Sequence, residues 1–359
     1  MNNRLSLVQP RAMTSPGLVS RLILISPFFF WGTAMVAMKQ VLPQTSPFFV
    51  AAVRLIPAGI LVLLTAWLLR RKHPQGLRAW AWIGLFALVD GSLFQGFLAA
   101  GLERTGAGLG SVMIDSQPLA VALLAAWLYR EKIGFWGWLG LLIGISGISL
   151  IGIPQAWWFD LMHGQVANLS LSWAGLGARG EFWMLLAALS MAVGTVMMGK
   201  VKEYADPIMA TGWHMILGGL PLLGLGLWGD TLPWVNLTGL DWLNLGYATL
   251  FGSALSYGLF FYFASQGNLT SLSSLTFLTP VFALSFGQLI LQETLTSFQL
   301  WGVGLTLVSI YLVNQRQHLA QLFHERARLY GQRSLGPGLI SPAKIPVPQL
   351  IRQSLPKDS

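Results

Sequence analysis

Pro118 and Pro280 stand 162 residues apart, and the same interval separates Glu131 from Glu293, Gly140 from Gly302, Trp80 from Trp242 and Gly84 from Gly246. Scarce residue types recurring at one ungapped offset mark an internal repeat, which limits the folds open to a chain more than any local propensity does. The order of features repeats as well. Gly106 to Gly152 reads as an apolar run interrupted by Pro118, an acid at Glu131 and a Gly-rich apolar run from Gly134. From Asn268 the same order returns with Pro280, Glu293 and the run containing Gly302.

The repeated unit is too apolar for water. The 359 residues are 54% hydrophobic and 10% charged, whereas a soluble domain carries about 25% charged residues. Such a chain cannot cover a water-facing surface of ordinary size, and it reads as an integral membrane protein. A helix needs about 20 mostly apolar residues to cross a bilayer. Ten stretches meet that length: 22–41, 47–69, 80–101, 106–128 and 134–153, then 181–199, 208–228, 242–263, 270–291 and 297–314. The expected fold is therefore an all-α integral membrane protein with ten transmembrane helices in two five-helix repeats. The first repeat covers 22–153 and the second 181–314. A tail at 1–21, an outer loop at 154–180 and a basic tail at 315–359 complete the chain. The outer loop carries Trp157, Trp158 and Phe159, residue types suited to a membrane interface.

The basic residues orient this arrangement. With the N-terminus inside, Arg4, Arg11, Arg21, Arg70, Arg71, Lys72, Arg78, Arg130, Lys132, Lys200 and Lys202 all fall on the cytoplasmic side. Arg316, Arg326, Arg328, Arg333, Lys344, Arg352 and Lys357 join them from the C-tail, for 18 of the 22 Lys and Arg. Only Arg104 and Arg179 fall in outer loops. By the positive-inside rule both termini are expected in the cytoplasm of a multi-pass protein of the plasma or inner membrane. The net charge of +9 is then a topology signal, and nucleic acid is excluded as a partner. Residues 1–21 are polar and the first apolar run is long enough to span, so no cleavable signal peptide is expected. In the C-tail Leu319, Leu322, Phe323, Leu329 and Tyr330 fall near helical spacing, as in an interfacial helix or a basic juxtamembrane segment. From Ser334 onward Pro, Gly, Ser and Gln predominate, a composition of disordered segments.

Five spans per copy is an odd number, so the second copy must enter the membrane from the opposite side. Glu131 is then expected at the cytoplasmic face and Glu293 at the outer face. Inverted repeats related by an axis in the membrane plane are characteristic of secondary transporters, in which rocking of one repeat against the other gives alternating access.

Several stretches carry a family resemblance. They are P-F-F-F-W-G-T-A-M-V-A-M-K from Pro27 to Lys39, A-A-V-R-L-I-P-A-G from Ala51 to Gly59, the Pro118 helix and the R-E-K turn at 130–132. The second copy adds A-V-G-T-V-M-M-G-K from Ala192 to Lys200, D-P-I-M-A-T-G-W-H-M from Asp206 to Met215, then Pro280, Glu293 and Gly302. In their order across residues 22–314 these resemble the EamA-type members of the drug/metabolite transporter superfamily. The resemblance implies a ten-helix carrier of small metabolites, often an exporter, with a central cavity between two five-helix halves. Arg54 departs from the symmetry: it has no counterpart in the second copy, where His214 lies at about that place.

Ionisable side chains at membrane depth cost roughly 2.5–3.5 kcal/mol each at a helix centre and read as functional by default. Arg54, Asp90 and Asp115 lie well inside spans and Lys39 near an outer end, all in the first copy. Asp90 and Asp115 are the expected proton-carrying or substrate-ammonium-binding groups, since one Arg neutralises only one of them and two ionised carboxylates in one cavity repel. Arg54 reads as an anion site, as an ion-pair partner of Asp90 or Asp115, or as an anchor that snorkels to the interface. Lys39 reads as an interfacial anchor or a site residue, and His214 as a bonded core histidine or a proton relay. Gln95 and Tyr257 occupy matching positions of the two copies and are expected to line the cavity, with Trp31 as wall or packing. Other hydroxyls, Ser253, Ser256 and Tyr262 on the eighth stretch and Ser271, Ser273, Ser274, Thr276 and Thr279 on the ninth, also serve as helix–helix glue. Pro118 and Pro280 are expected to kink their helices, each removing the hydrogen bond to the carbonyl four residues earlier, at Ile114 and Thr276.

Enzyme chemistry lacks its parts. There is no Cys, no H-E-x-x-H zinc motif and no Walker A sequence, so no cofactor, metal or ATP drive is expected. The expected partners are a small-molecule substrate and the lipid bilayer, with protons a candidate coupling ion and a homodimer compatible with the sequence. The function that follows is a secondary-active carrier of a small metabolite such as an amino acid or amine, working by alternating access, with outward movement the direction that the resemblance implies. The alternative is a membrane scaffold or receptor on a transporter fold.

Overall fold

A computed structural model describes residues 18–130, 133–153, 158, 163, 173–228, 232–265 and 275–323. Among them there are helices and turns and no strand. In chain order the helices are α1 (Leu18–Val41), α2 (Pro47–Leu68), α3 (Gly76–Phe86), α4 (Gln95–Arg104), α5 (Ala107–Asp115), α6 (Gln117–Tyr129) and α7 (Phe135–Gly152). There follow α8 (Trp173–Gly177), α9 (Gly180–Tyr204), α10 (Pro207–Leu227), α11 (Gly239–Thr249), α12 (Ser256–Ser265), α13 (Leu278–Leu291) and α14 (Ser297–Asn314). A π-helical turn at Ala87–Phe94 joins α3 to α4, and another at Leu250–Leu255 joins α11 to α12.

Among the described residues eight helical runs are long and apolar enough to cross a membrane. Lipid-facing character shows in their outward side chains: Trp67, Trp127, Phe135 and Trp301 are all exposed. The eighth expected stretch is the run through α11, the π-turn and α12. The ninth is α13, an apolar helix of 14 residues; its expected first turns, with Ser271, Ser273 and Ser274, lie outside the described residues. So do Glu131, Lys132, Trp157, Phe159 and the tails before 18 and after 323. Residues 317–323 belong to a separate C-terminal unit and are helical.

Three of the expected continuous helices are interrupted, 106–128 at Ser116 and 80–101 and 242–263 by the π-turns. The 106–128 stretch breaks at Ser116 into α5 and α6, which goes beyond the kink expected of Pro118. The Ser116 amide and hydroxyl both donate to Met113 O, at 3.3 and 2.5 Å, and the Leu119 amide donates to Ser116 O at 2.9 Å. Three-residue turns thus replace the hydrogen bond that Pro118 cannot donate. Pro280 sits in the first turn of α13, after a turn at 275–277 whose Leu275 and Thr276 carbonyls accept from Leu278 and Thr279. Both repeated prolines therefore stand where a helix restarts, a position that tolerates a missing N–H. The 80–101 stretch is broken by the π-turn rather than by a proline.

Helix starts have local causes. Asp206 accepts from the amides of Ile208 and Met209 at the start of α10. Thr238 with Asp241 and Thr296 with Gln299 form capping boxes on α11 and α14, satisfying amides that the first turn leaves unpaired.

Glycines set the closest helix pairs. Along α2 and α10, Phe49 lies against Gly226, Ile56 against Gly219, and Gly59 against Gly212, Met215 and Ile216. Along α7 and α14, Gly140 lies against Val313, and Gly147 against Thr306 and Gly302. In both pairs residue numbers rise on one helix as they fall on the other, so the two run antiparallel. Each pair joins stretches at matching places of the two repeats. A Cβ at Gly59 would stand 2.8 Å from Gly212 O, and one at Gly147 2.8 Å from Gly302 O; only glycine permits these approaches.

Candidate functional site

The π-turn that interrupts the third stretch places Asp90, Gly91 and Ser92 against α10. A Cβ at Gly91 would stand 2.7 Å from His214 O and 2.8 Å from Gly218 Cα, and Ser92 Oγ donates to Gly218 O at 2.9 Å. That close crossing brings Asp90 Oδ2 to 3.2 Å from His214 Nε2. His214 is 3% exposed, covered by the Phe86 ring at a centroid distance of 4.3 Å. Its other nitrogen, Nδ1, is 2.5 Å from Thr211 O. A carbonyl can only accept, so Nδ1 carries a proton and Nε2 is the nitrogen that meets the carboxyl. Gly194 of α9 closes over the Asp90 side chain.

Arg54 of α2 reaches in the other direction. Nη1 donates to Ser253 Oγ at 2.9 Å, and Nη2 donates to Gln95 Oε1. Ser253 in turn donates to Ala248 O at 3.1 Å, five residues back, through the geometry of the second π-turn. Arg54 is 5% exposed, and Gln95 and Ser253 are also buried. Tyr257 lies within electrostatic reach of both Arg54 and Asp90. Its ring meets Trp31 edge-on at 5.6 Å, and Trp31 in turn lies tilted against Phe260 at 5.5 Å and edge-on to Phe28 at 5.7 Å. Of the residues singled out from sequence, Arg54, Gln95, Tyr257 and Trp31 thus gather at one place, next to the Asp90–His214 pair.

Arg54 makes no ion pair with Asp90 or Asp115 among the described residues, because α2 turns the guanidinium toward Gln95 and Ser253 while α10 supplies Asp90 with His214. Asp115 instead accepts from Ser111 Oγ at 3.1 Å within its own helix, and no hydrogen bond or ion pair joins it to Asp90 among the described residues. Lys39 stands apart at a helix end. Its Nζ donates to Leu102 O at 2.7 Å and Glu103 O at 3.1 Å, satisfying the last carbonyls of α4 as a cation should. Across the same turn Glu293 accepts from the Ala107 and Gly108 amides at 2.6 and 3.1 Å, the first amides of α5. His214 is thus buried with both ring nitrogens bonded, one of them to an acidic partner.

Sequence reasoning missed the two π-turns. The available signal was a Gly-Ser pair in the third stretch, Gly91-Ser92, with another in the eighth, Gly252-Ser253. Small residues there admit a neighbouring backbone, and π-turns are frequent at functional sites.

Apolar spanning helices that bury an arginine, a carboxyl–imidazole pair and polar partners between them mark a multi-pass membrane protein with a functional site at membrane depth. The EamA-like transporter family matches residues 19–153 and again 178–315, and the chain belongs to that family. It is 64% identical over 314 residues to a Synechocystis sp. protein named as an uncharacterized transporter, covering 87% of this chain and 94% of that one. It is 57% identical over 297 residues to a chloroplastic WAT1-related protein of Arabidopsis thaliana, covering 81% of this chain and 68% of that one. Protein PecM of Dickeya dadantii is 32% identical over 289 residues, 79% of this chain and 88% of its own. One solved crystal structure shares the fold with a TM-score of 0.53 at 15% identity, over 85% of this chain and 97% of that chain.

Proposed function

We propose that the chain is a secondary-active carrier that moves a small metabolite by alternating access between two inverted five-helix repeats, 22–153 and 181–314. The observation that carries this reading is the antiparallel pairing of α2 with α10 and of α7 with α14, each pair built from matching stretches of the repeats. Two units of opposite direction that pack through symmetric helix pairs can exchange conformations, turning a site open to one side into a site open to the other. Ten spans, cytoplasmic termini and a cell-membrane location complete the proposal, with export the direction that the resemblance implies.

The substrate site lies where the two copies meet, at Arg54, Gln95, Ser253, Tyr257 and Trp31. Asp90 and His214 are the proposed proton-coupling pair. One proton occupies the Nε2–Oδ2 contact, and a second proton taken up by the pair leaves two donors facing each other and frees His214 to change partners. Asp115, beside the break at Ser116 and Pro118, is a second proton-carrying candidate, while Lys39 holds a helix end. Pro118 and Pro280 mark the points where helices restart and can swing. No catalytic role is proposed.

The test is counterflow in proteoliposomes against a panel of amino acids, amines, organic acids and sugars. Protein-dependent exchange of any of them supports the carrier; none across the panel favours the scaffold or receptor. Asp90→Asn together with Asp115→Asn should abolish pH dependence of that flux, and an unchanged profile contradicts the assignment of these carboxyls.

A further inference from the structure

The charges buried at the centre do not balance. Because Nδ1 of His214 already donates to Thr211 O, the contact between Nε2 and Asp90 Oδ2 holds a single proton. With that proton on the imidazole the pair is a cation and an anion; with it on the carboxyl both are neutral. Its net charge is zero either way, so it offers Arg54 no counter-charge. Asp115 is engaged with Ser111, and no carboxylate lies within ion-pairing distance of Arg54 among the described residues. The guanidinium holds only neutral acceptors, Ser253 and Gln95. Its Nε is buried and has no hydrogen-bond partner.

An arginine cannot shed its charge as a buried acid or lysine can, and an unpaired buried charge is strongly destabilising. Two of the five N–H groups are used, which leaves one N–H on each Nη and, unpartnered, the Nε–H at the guanidinium's Nε edge. That edge is the fork whose spacing matches the two oxygens of a carboxylate.

We propose that the substrate carries a carboxylate and that its two oxygens bind the Nε edge of Arg54, supplying the missing negative charge. This rests on the carrier reading above. Gln95 and Ser253 hold the guanidinium plane in place, and the aromatic face of Trp31 and Tyr257 receives the remainder of a small organic acid. Their rings, together with Phe28 and Phe260, suit a substrate with an apolar or aromatic body. Uptake of an anion beside a proton-holding pair also makes carboxylate movement with a proton electrically neutral.

The test uses the full chain in nanodiscs with matched triplets of acid, amide and amine on one scaffold: phenylacetate, phenylacetamide and phenethylamine, and the corresponding indole and isobutyl compounds. Thermal stabilisation and equilibrium binding are read for wild type, Arg54→Met and Arg54→Lys. The expected result is stabilisation of wild type by at least one acid and not by its amide. Arg54→Met should weaken that acid roughly tenfold or more, the loss of one charge-assisted contact. Arg54→Lys, which keeps the charge but not the fork, should fall between. The ligand-free Arg54→Met protein should melt no lower than wild type, since it loses an uncompensated charge; this separates lost binding from lost folding. Stabilisation by amides or amines equal to that by acids overturns the proposal, as does acid binding that survives in Arg54→Met, or no stabilisation by any acid at millimolar concentration. Counterflow of a neutral or cationic member by wild type would keep the carrier and discard the carboxylate. Absence of any flux would discard the carrier itself.

Discussion

His214 presents Nε2 to Asp90 Oδ2 at 3.2 Å while its Nδ1 donates to Thr211 O at 2.5 Å. Both ring nitrogens are therefore committed, one to a backbone carbonyl and one to a carboxyl. Removing Asp90 alone leaves the imidazole facing an empty place, and removing His214 alone leaves a buried carboxyl unpaired. Breaking one side of such a buried pair costs about 3–5 kcal/mol. The double variant Asp90→Asn/His214→Gln should cost less than the two single changes added, with a coupling of about 1–3 kcal/mol. Denaturation of the four proteins in detergent measures it, and additive losses would show that the contact carries no energy of its own.

The position of that pair depends on the Gly91–Gly218 crossing. A Cβ at Gly218 would stand 2.5 Å from Gly91 Cα and 2.7 Å from Ala87 O, both backbone atoms that cannot rotate away. Gly218→Ala should destabilise by about 1–3 kcal/mol through overpacking and reduce flux by drawing α10 away from Asp90. Gly84→Ala and Gly258→Ala are the controls, because nothing lies within 4 Å of a Cβ there. They should melt at or slightly above the wild-type temperature.

Lys39 and Glu293 grip the two sides of one turn, the cation on the last carbonyls of α4 and the carboxylate on the first amides of α5. Removal of a side-chain cap costs about 1 kcal/mol, so Glu293→Gln should open this end about fivefold more often. The chain has no native Cys, so a single Thr105→Cys reports the opening by its labelling rate. A rate unchanged by Glu293→Gln would mean that the carboxylate does not hold this end shut.

Much of this architecture was legible in the residues. The constant offset and the apolar runs gave the helix order, because periodic burial in lipid leaves a strong compositional record. Arg54, Asp90, Gln95, Tyr257 and His214 stood out because polar groups are rare in such runs. Their pairing was not legible. Which of Asp90 and Asp115 meets a basic partner depends on the rotation of α10 against the first π-turn, and a one-residue change in helix phase swings a side chain by about 100°. Ser253 was hidden among other hydroxyls for the same reason: only the π-turn directs it at Arg54. The break at Ser116 was foreshadowed by Pro118, but its extent depended on a serine hydroxyl taking over a carbonyl.

The most direct test of proton-coupled alternating access is substrate movement driven by a pH gradient alone in sealed proteoliposomes, using a compound identified by counterflow. Wild type should concentrate that compound when a gradient is imposed and stop when a protonophore collapses it. Asp90→Asn should still exchange the compound across the membrane but no longer respond to the gradient. Gradient-driven accumulation that persists in Asp90→Asn, or wild-type exchange that no pH gradient alters, would contradict the account.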